Sequence, residues 1–419
     1  MTSVVQGREE KDKRSESASR RAAFWRYWGA STASGIGDAV TAVALPLLAV
    51  LVLHASALEV SLITAASYAS WILVGLPAGV LVHRLPLRGA QVAMDLVRAV
   101  AVASVPVAAA FGVLSLPQLI VVALVVGLAS VVFDVANSTF LPSIVSKEEL
   151  TARNSLTSGT RAATQLGGPS LGGVLVQVLG AATSIVVDAV SYVISAALMN
   201  SLPQVTHPAQ DGPRRGMGEM IREGWRYVTH HPVIGPCAAD ATAVNFVCGG
   251  LMALTPVFLV RTLEAPPALV GILIATEGLG TLIGAALTPR IVTRLGSGRA
   301  LLWAAVVSPL FAALMPLAGH SVAVVLFALG NAGFAGAVVV TSIVTRTYRQ
   351  TATPPELLPR VMATVRFISW GAIPVGALAA GGAAELWGTR AAFALMTVVS
   401  AVSPAIVLAS PVRRMRELG

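Results

Sequence analysis

The stretch VVFDVANSTFLPSIVSKEELTARNSL, residues 131–156, decides the fold class. It is the end of one long apolar run with a single carboxylate, Asp134, then a short charged turn from Lys147 to Arg153, then the start of a second run. A helix needs about 20 apolar residues to cross roughly 30 Å of hydrocarbon. Two such runs joined by one charged turn form a hairpin through a bilayer.

Worked outward, the pattern repeats along the whole chain. Apolar runs occupy residues 22–53, 58–82, 90–113, 117–141, 155–179 and 181–202, then 233–260, 268–289, 300–319, 321–345, 361–386 and 391–411. The 419 residues are 55% hydrophobic and 12% charged, and the mean hydropathy is +0.77. A soluble chain carries about 25% charged residues, so a soluble core could not hide this much apolar surface. The net charge of +9 does not point to nucleic acid, because the basic residues sit in short gaps between apolar runs and not on one water-exposed face.

Those gaps also orient the chain. With the N-terminus inside, Arg84, Arg88, Lys147, Arg153, Arg214, Arg215, Arg222, Arg226, Arg290, Arg294, Arg299, Arg346, Arg349, Arg360 and the final arginines fall on the inner side, whereas Arg261 and Arg390 fall outside. The positive-inside rule then predicts both termini in the cytoplasm and an even number of helices in a plasma (inner) membrane. Residues 1–21 are polar and lack a signal-peptide core, so a disordered cytoplasmic tail is expected there, with a second short tail at 412–419.

Residues 203–232 form the longest polar gap and begin with the breakers of HPAQDGPRRG. They separate bundles at 22–202 and 233–411. Within the gap, Met217, Met220, Ile221, Trp225 and Val228 recur at helical spacing beside Arg222 and Arg226, which predicts a short amphipathic helix on the membrane surface. The bundles echo one another: Glu149, Arg153, Arg161 and Pro169 return as Glu356, Arg360, Arg366 and Pro374, an offset of about 205 residues. Gly79 and Arg84 return as Gly284 and Arg290. Parallel duplication of a six-helix unit is a transporter signature.

SGIGDAVTAVALPLLAV at 34–50, GLPAGVLVHRLPLRG at 75–89, the stretch quoted first, LGGPSLGGVL at 166–175 and VVDAVSYVISA at 186–196 together resemble the major facilitator superfamily. Within it they resemble the drug, macrolide and siderophore exporters called transmembrane secretion effectors. The resemblance implies an all-α membrane protein of twelve transmembrane helices in two pseudo-symmetric six-helix bundles. It also implies a monomer that moves a small molecule outward by alternating access, with a proton gradient as the energy source and no bound cofactor. An importer or facilitator of a small nutrient, or a non-transporting sensor, is the alternative. The family's loop motif carries aspartate-arginine after the glycine; here Arg84 is kept but His83 replaces the acid, so a weaker gate, or one sensitive to pH, is expected.

A charge at mid-helix costs about 2.5–3.5 kcal/mol on insertion scales, so intramembrane charges are functional candidates. Asp38 lies about 14 residues past Phe24, roughly 20 Å along its helix, and is a candidate for proton coupling or for a structural hydrogen bond. Glu277, in LIATEGLGTLIGAAL, is a candidate for proton coupling or for binding a cationic molecule. Asp134 and Arg161 lie at matching depths and are expected to pair; Asp134 is also a coupling candidate. Arg84, Arg88, Arg161 and Arg366 are gating candidates. Tyr68, Trp71, Asn245, Phe246, Phe334 and Trp370 are expected to line an aromatic substrate cavity. Asp95 with Arg98, and Asp188, fall on helices that the resemblance places outside the cavity, and structural roles are expected for them.

No glycine run is followed by a Walker lysine and no metal-ligand spacing occurs, which argues against ATP hydrolysis or a metal centre in this chain. Cys237 and Cys248 are eleven positions apart, about 16 Å along a helix, too far for a disulfide.

Overall fold

In lipid, a backbone must satisfy its own hydrogen bonds, and an apolar run does so as a helix. The computed structural model, which describes residues 2–82, 86–204, 217–319, 324–354 and 356–418, has helices and no strands among the described residues. The first half contains α1 (Thr2–Leu51), α2 (Ala57–Val82), α3 (Leu87–Ala110), α4 (Leu116–Ile144), α5 (Lys147–Leu179) and α6 (Ala181–Asn200). A linking helix α7 (Met217–His230) follows. The second half contains α8 (Ile234–Val257), continued by a π turn to Thr262, then α9 (Pro267–Leu295), α10 (Ser297–Ala312), α11 (Val324–Ala352), α12 (Leu358–Trp387), α13 (Thr389–Ser400) and α14 (Val402–Ala409).

Ten spans among the described residues are long and apolar enough to cross a membrane, the last of them made by α13 and α14 together. The glycines and glutamines in the apolar part of α5 and the 16-residue length of α10 exclude these two by composition or length, and with them the twelve-helix bundle is complete. Several helices overrun the apolar stretches that announced them. α5 starts at Lys147 and α11 ends at Ala352, because hydropathy marks the hydrocarbon slab while the helix continues into the headgroup layer.

Helix α1 begins at Thr2. The C-terminal tail is docked. Leu418 is buried, its N–H donates to Ser297 Oγ at 2.9 Å, and Glu417 accepts from the Ser297 N–H at 3.1 Å.

In the first half α1 packs on α5 and α6, α2 on α4, and α3 on α4 and α6; in the second, α8 packs on α12, α13 and α14, and α9 and α10 on α11. The halves meet where α2 lies on α12 and α5 lies on α9. Exchanging the halves maps each of these contacts onto the other, as a two-fold axis along the membrane normal requires. The symmetry extends to backbone conformation: Gly180 joins α5 to α6 and Gly388 joins α12 to α13 with φ/ψ of 84/157° and 83/157°, a region open essentially to glycine alone.

The path between the halves is shut at the end away from the termini. There Arg261 Nη2 donates to the Ala55 carbonyl at 2.6 Å, the Leu58 N–H to Glu385 Oε1 at 3.3 Å, and the Ala268 N–H to Gln177 Oε1 at 3.0 Å. Gly173 of α5 and Gly271 of α9 sit backbone to backbone beside them. Toward the termini the halves part, and α5 is exposed around much of its girth from Asn154 to Gln165.

Candidate functional site

One side chain organises the first half. Arg98 of α3 is 1% exposed and lies between the rings of Phe133 and Tyr192, 4.3 Å from each centroid. Its guanidinium is bonded to Asp95 one turn earlier, and Ser195 Oγ donates to the other Asp95 oxygen at 2.7 Å. Asp38 of α1 lies 3.9 Å from Arg98 Nη1 and accepts a hydrogen bond from the Tyr192 hydroxyl. Asp188 of α6 is fully buried; Ser191 Oγ donates to its Oδ1 at 3.2 Å, and Oδ2 has no partner among the described residues. A side chain at Gly37 would overlap Ser191 and Asp188, so the α1–α6 crossing depends on that glycine.

This cluster holds three carboxyls around one guanidinium. Water is nearly excluded from Arg98, Asp95 and Asp188, whereas the Asp38 side chain is 45% exposed and opens onto the path between the halves. An ionised carboxylate buried without a partner is very costly, and a proton held by the cluster removes that cost. Asp95, Arg98 and Asp188 were expected to support the fold from outside the cavity, but the structure joins them, together with Tyr192, to Asp38. The Asp95/Arg98 spacing of three on an apolar helix was the available signal, because two such groups are neighbours on one face.

Glu277 of α9 is exposed to the path and within electrostatic reach of Tyr68 on α2 and Cys248 on α8. No ion-pair partner for it occurs among the described residues. The Tyr68 hydroxyl lies 3.8 Å from Met252 Sδ. Nearer the termini, Arg161 Nη2 stands 3.9 Å from Asp134 Oδ1 with 71% of the arginine side chain exposed. The Arg366 guanidinium rests on Trp71 at 4.0 Å and Trp370 at 4.4 Å, and those two rings meet edge-on across the halves at 4.8 Å.

Other candidates fall elsewhere. Asn245 turns its amide back to the Ala241 carbonyl at 2.8 Å, Phe334 is buried in the apolar core, and Phe246 lines a groove on the outer flank of α8. Arg88 Nη1 donates to the Leu202 carbonyl at 2.7 Å, tying α3 to the end of α6. Arg84 and His83 lie outside the described residues. One buried acid escaped the sequence reading altogether: Asp240 of α8, fully buried, accepts from Ser403 Oγ at 2.6 Å. It sits near the start of an apolar run where alanines surround it, with no charged residue at helical spacing to draw notice.

Comparison with known proteins agrees with this architecture. The chain is 28% identical over 406 residues to the multidrug efflux pump Tap of Mycolicibacterium fortuitum, covering 93% of this chain and 95% of that one. It is 25% identical over 316 residues to the uncharacterized MFS-type transporter YvqJ of Bacillus subtilis strain 168, covering 74% of each. Among crystal structures, a mutant of the nucleoside transporter NupG superposes with a TM-score of 0.78 at 11% identity, covering 92% of this chain and 99% of that one. A bacterial homologue of the iron transporter ferroportin gives 0.71 at 17% identity, with 91% and 98% covered. A family model described as transmembrane secretion effector matches residues 16–418, and the chain accordingly belongs to that family of major facilitator transporters.

Proposed function

We propose that this transporter exports small amphipathic organic molecules from the cytoplasm by alternating access, driven by protons moving inward, with both termini in the cytoplasm of a plasma (inner) membrane. The observation that carries the reading is the Asp38 cluster: a half-exposed carboxyl on the path, in direct contact with Tyr192 and 3.9 Å from a buried arginine. Protonating Asp38 removes a negative charge from beside Arg98, and losing that proton restores it. This is the change in local charge balance that a coupled carrier needs between its two states. Glu277 supplies the substrate contact, an unpaired carboxylate beside Tyr68 that suits a cationic amphiphile. The basic loops at the terminus end support the orientation, and the similarity to a multidrug efflux pump supports the direction and the substrate class.

The test is extrusion of a fluorescent cationic dye from proteoliposomes with and without an imposed proton gradient. The wild type extrudes dye only with the gradient. Asp38→Asn removes the response to the gradient, and Glu277→Gln lowers dye transport at least tenfold, the loss of about 1.4 kcal/mol of binding. Gradient-independent extrusion, or unchanged transport in both variants, overturns the reading.

A further inference from the structure

A cavity of about 710 Å³ lies on the outer flank of the second half, under α7. Trp225 and Thr229 of α7, both exposed, line it at its mouth, and Ala239, Ala243 and Phe246 of α8 and Val399 of α13 line the remainder. None of its lining residues belongs to α1–α6, so it is separate from the path between the halves. Its volume is that of a site for a drug-sized molecule, roughly 300–1,000 Å³, yet its lining is almost wholly apolar. The Thr229 hydroxyl is spent on the Trp225 carbonyl at 2.9 Å and the Thr242 hydroxyl on the Ala238 carbonyl at 2.7 Å. Such a groove suits a hydrocarbon chain.

The mouth has a different chemistry. Arg222, Trp225, Arg226 and Thr229 are spaced three and four apart and share one face of α7. Both arginines are exposed, and Glu223 on the neighbouring face is bonded to Arg360; neither Arg222 nor Arg226 has a carboxylate partner among the described residues. Trp225 is 49% exposed at the depth where indole rings prefer the membrane interface. Two guanidiniums beside an interfacial tryptophan match a phosphate at headgroup level. We propose that this flank holds one anionic phospholipid of the surrounding leaflet, its phosphate on Arg222 and Arg226 and one acyl chain in the groove between α8, α12 and α13. The site is independent of what the protein transports.

Trp225 is one of seven tryptophans, so the difference between wild type and Trp225→Phe isolates its emission. The experiment reconstitutes the full chain in phosphatidylcholine vesicles containing a minor fraction of acyl-brominated phosphatidylglycerol, or the same fraction of brominated phosphatidylcholine. The phosphatidylglycerol probe quenches the Trp225 component at a concentration lower by on the order of tenfold, the enrichment expected from two arginines at a membrane surface. Arg222→Gln with Arg226→Gln abolishes that preference. Ala243→Leu, which fills the groove and leaves the charges, weakens quenching by the phosphatidylglycerol probe. Equal quenching by both probes in the wild type, or a preference that survives the double substitution, overturns the headgroup contact. Quenching unaffected by Ala243→Leu overturns the chain's place in the groove.

Discussion

Arg98 is almost wholly shielded from water, and its charge is balanced by what surrounds it: Asp95 in line, Asp38 nearby and a ring on each face. Removing one partner of a buried ion pair costs about 3–5 kcal/mol, so this residue ties α3 to α1, α4 and α6 at once. A second residue acts at the surface. His231 Nδ1 accepts from the backbone N–H of Val233 at 3.2 Å and of Ile234 at 3.1 Å, capping the start of α8. Only an unprotonated Nδ1 can accept, and burial lowers the histidine pKa from 6.5. The folded state therefore binds the proton less readily than the unfolded one. The cap's stabilisation is fully present above about pH 6.5 and is lost as pH falls through the lowered value. Melting of the purified protein from about pH 8 to about pH 5 is expected to show this loss, and His231→Asn, which keeps an acceptor that does not titrate, is expected to flatten it. A wild-type profile identical to that of the variant would remove His231 as the cause.

Three of the turns between helices, at Gly180, Gly296 and Gly388, have a backbone open essentially to glycine alone. Gly388, at φ 83° with no atom within 4 Å of an added Cβ, is restricted by its conformation and not by space, whereas Gly382 has the same space inside a helix. Gly388→Ala is expected to cost about 1–3 kcal/mol and Gly382→Ala to be neutral or to stabilise by up to about 1 kcal/mol. Thermal melts of the two variants in one detergent compare them, and equal shifts would contradict the assignment. The linking helix α7 was expected from the spacing of its apolar residues, and it forms over Met217–His230. Its docking onto α12, where Gly224 meets Arg360 and Thr364, was not, because the sequence shows which face is apolar but not which neighbour covers it.

At the scale of the whole molecule, closure rests on a few contacts at the end away from the termini. A hydrogen bond to a charged group contributes about 1.5–3 kcal/mol, so Arg261→Ala, which deletes the bond to Ala55, is expected to raise the fraction of molecules open at that end by roughly tenfold or more. Val113 and Leu317 are exposed at that end on opposite halves. Spin labels at these positions, on a background lacking Cys237 and Cys248, would report the opening as a longer component in their distance distribution. An unchanged distribution would show that Arg261 does not hold the gate.

Hydropathy, loop charge and the offset of about 205 residues were enough to read the class of fold, its division into halves and the helices that bear charges. These are properties of segments about 20 residues long, set by the thickness of a bilayer. The Asp134–Arg161 approach could also be anticipated, since both lie at one depth on consecutive helices joined by a short turn. The tertiary structure alone decided which distant charges meet. Asp38, Asp95, Arg98 and Asp188 come from three helices whose adjacency follows from packing small residues such as Gly37 against neighbours. It also decided that Phe246 faces an outer groove and Phe334 the core. A helix has a full circle of directions, and only its packed neighbours select which of them is the path.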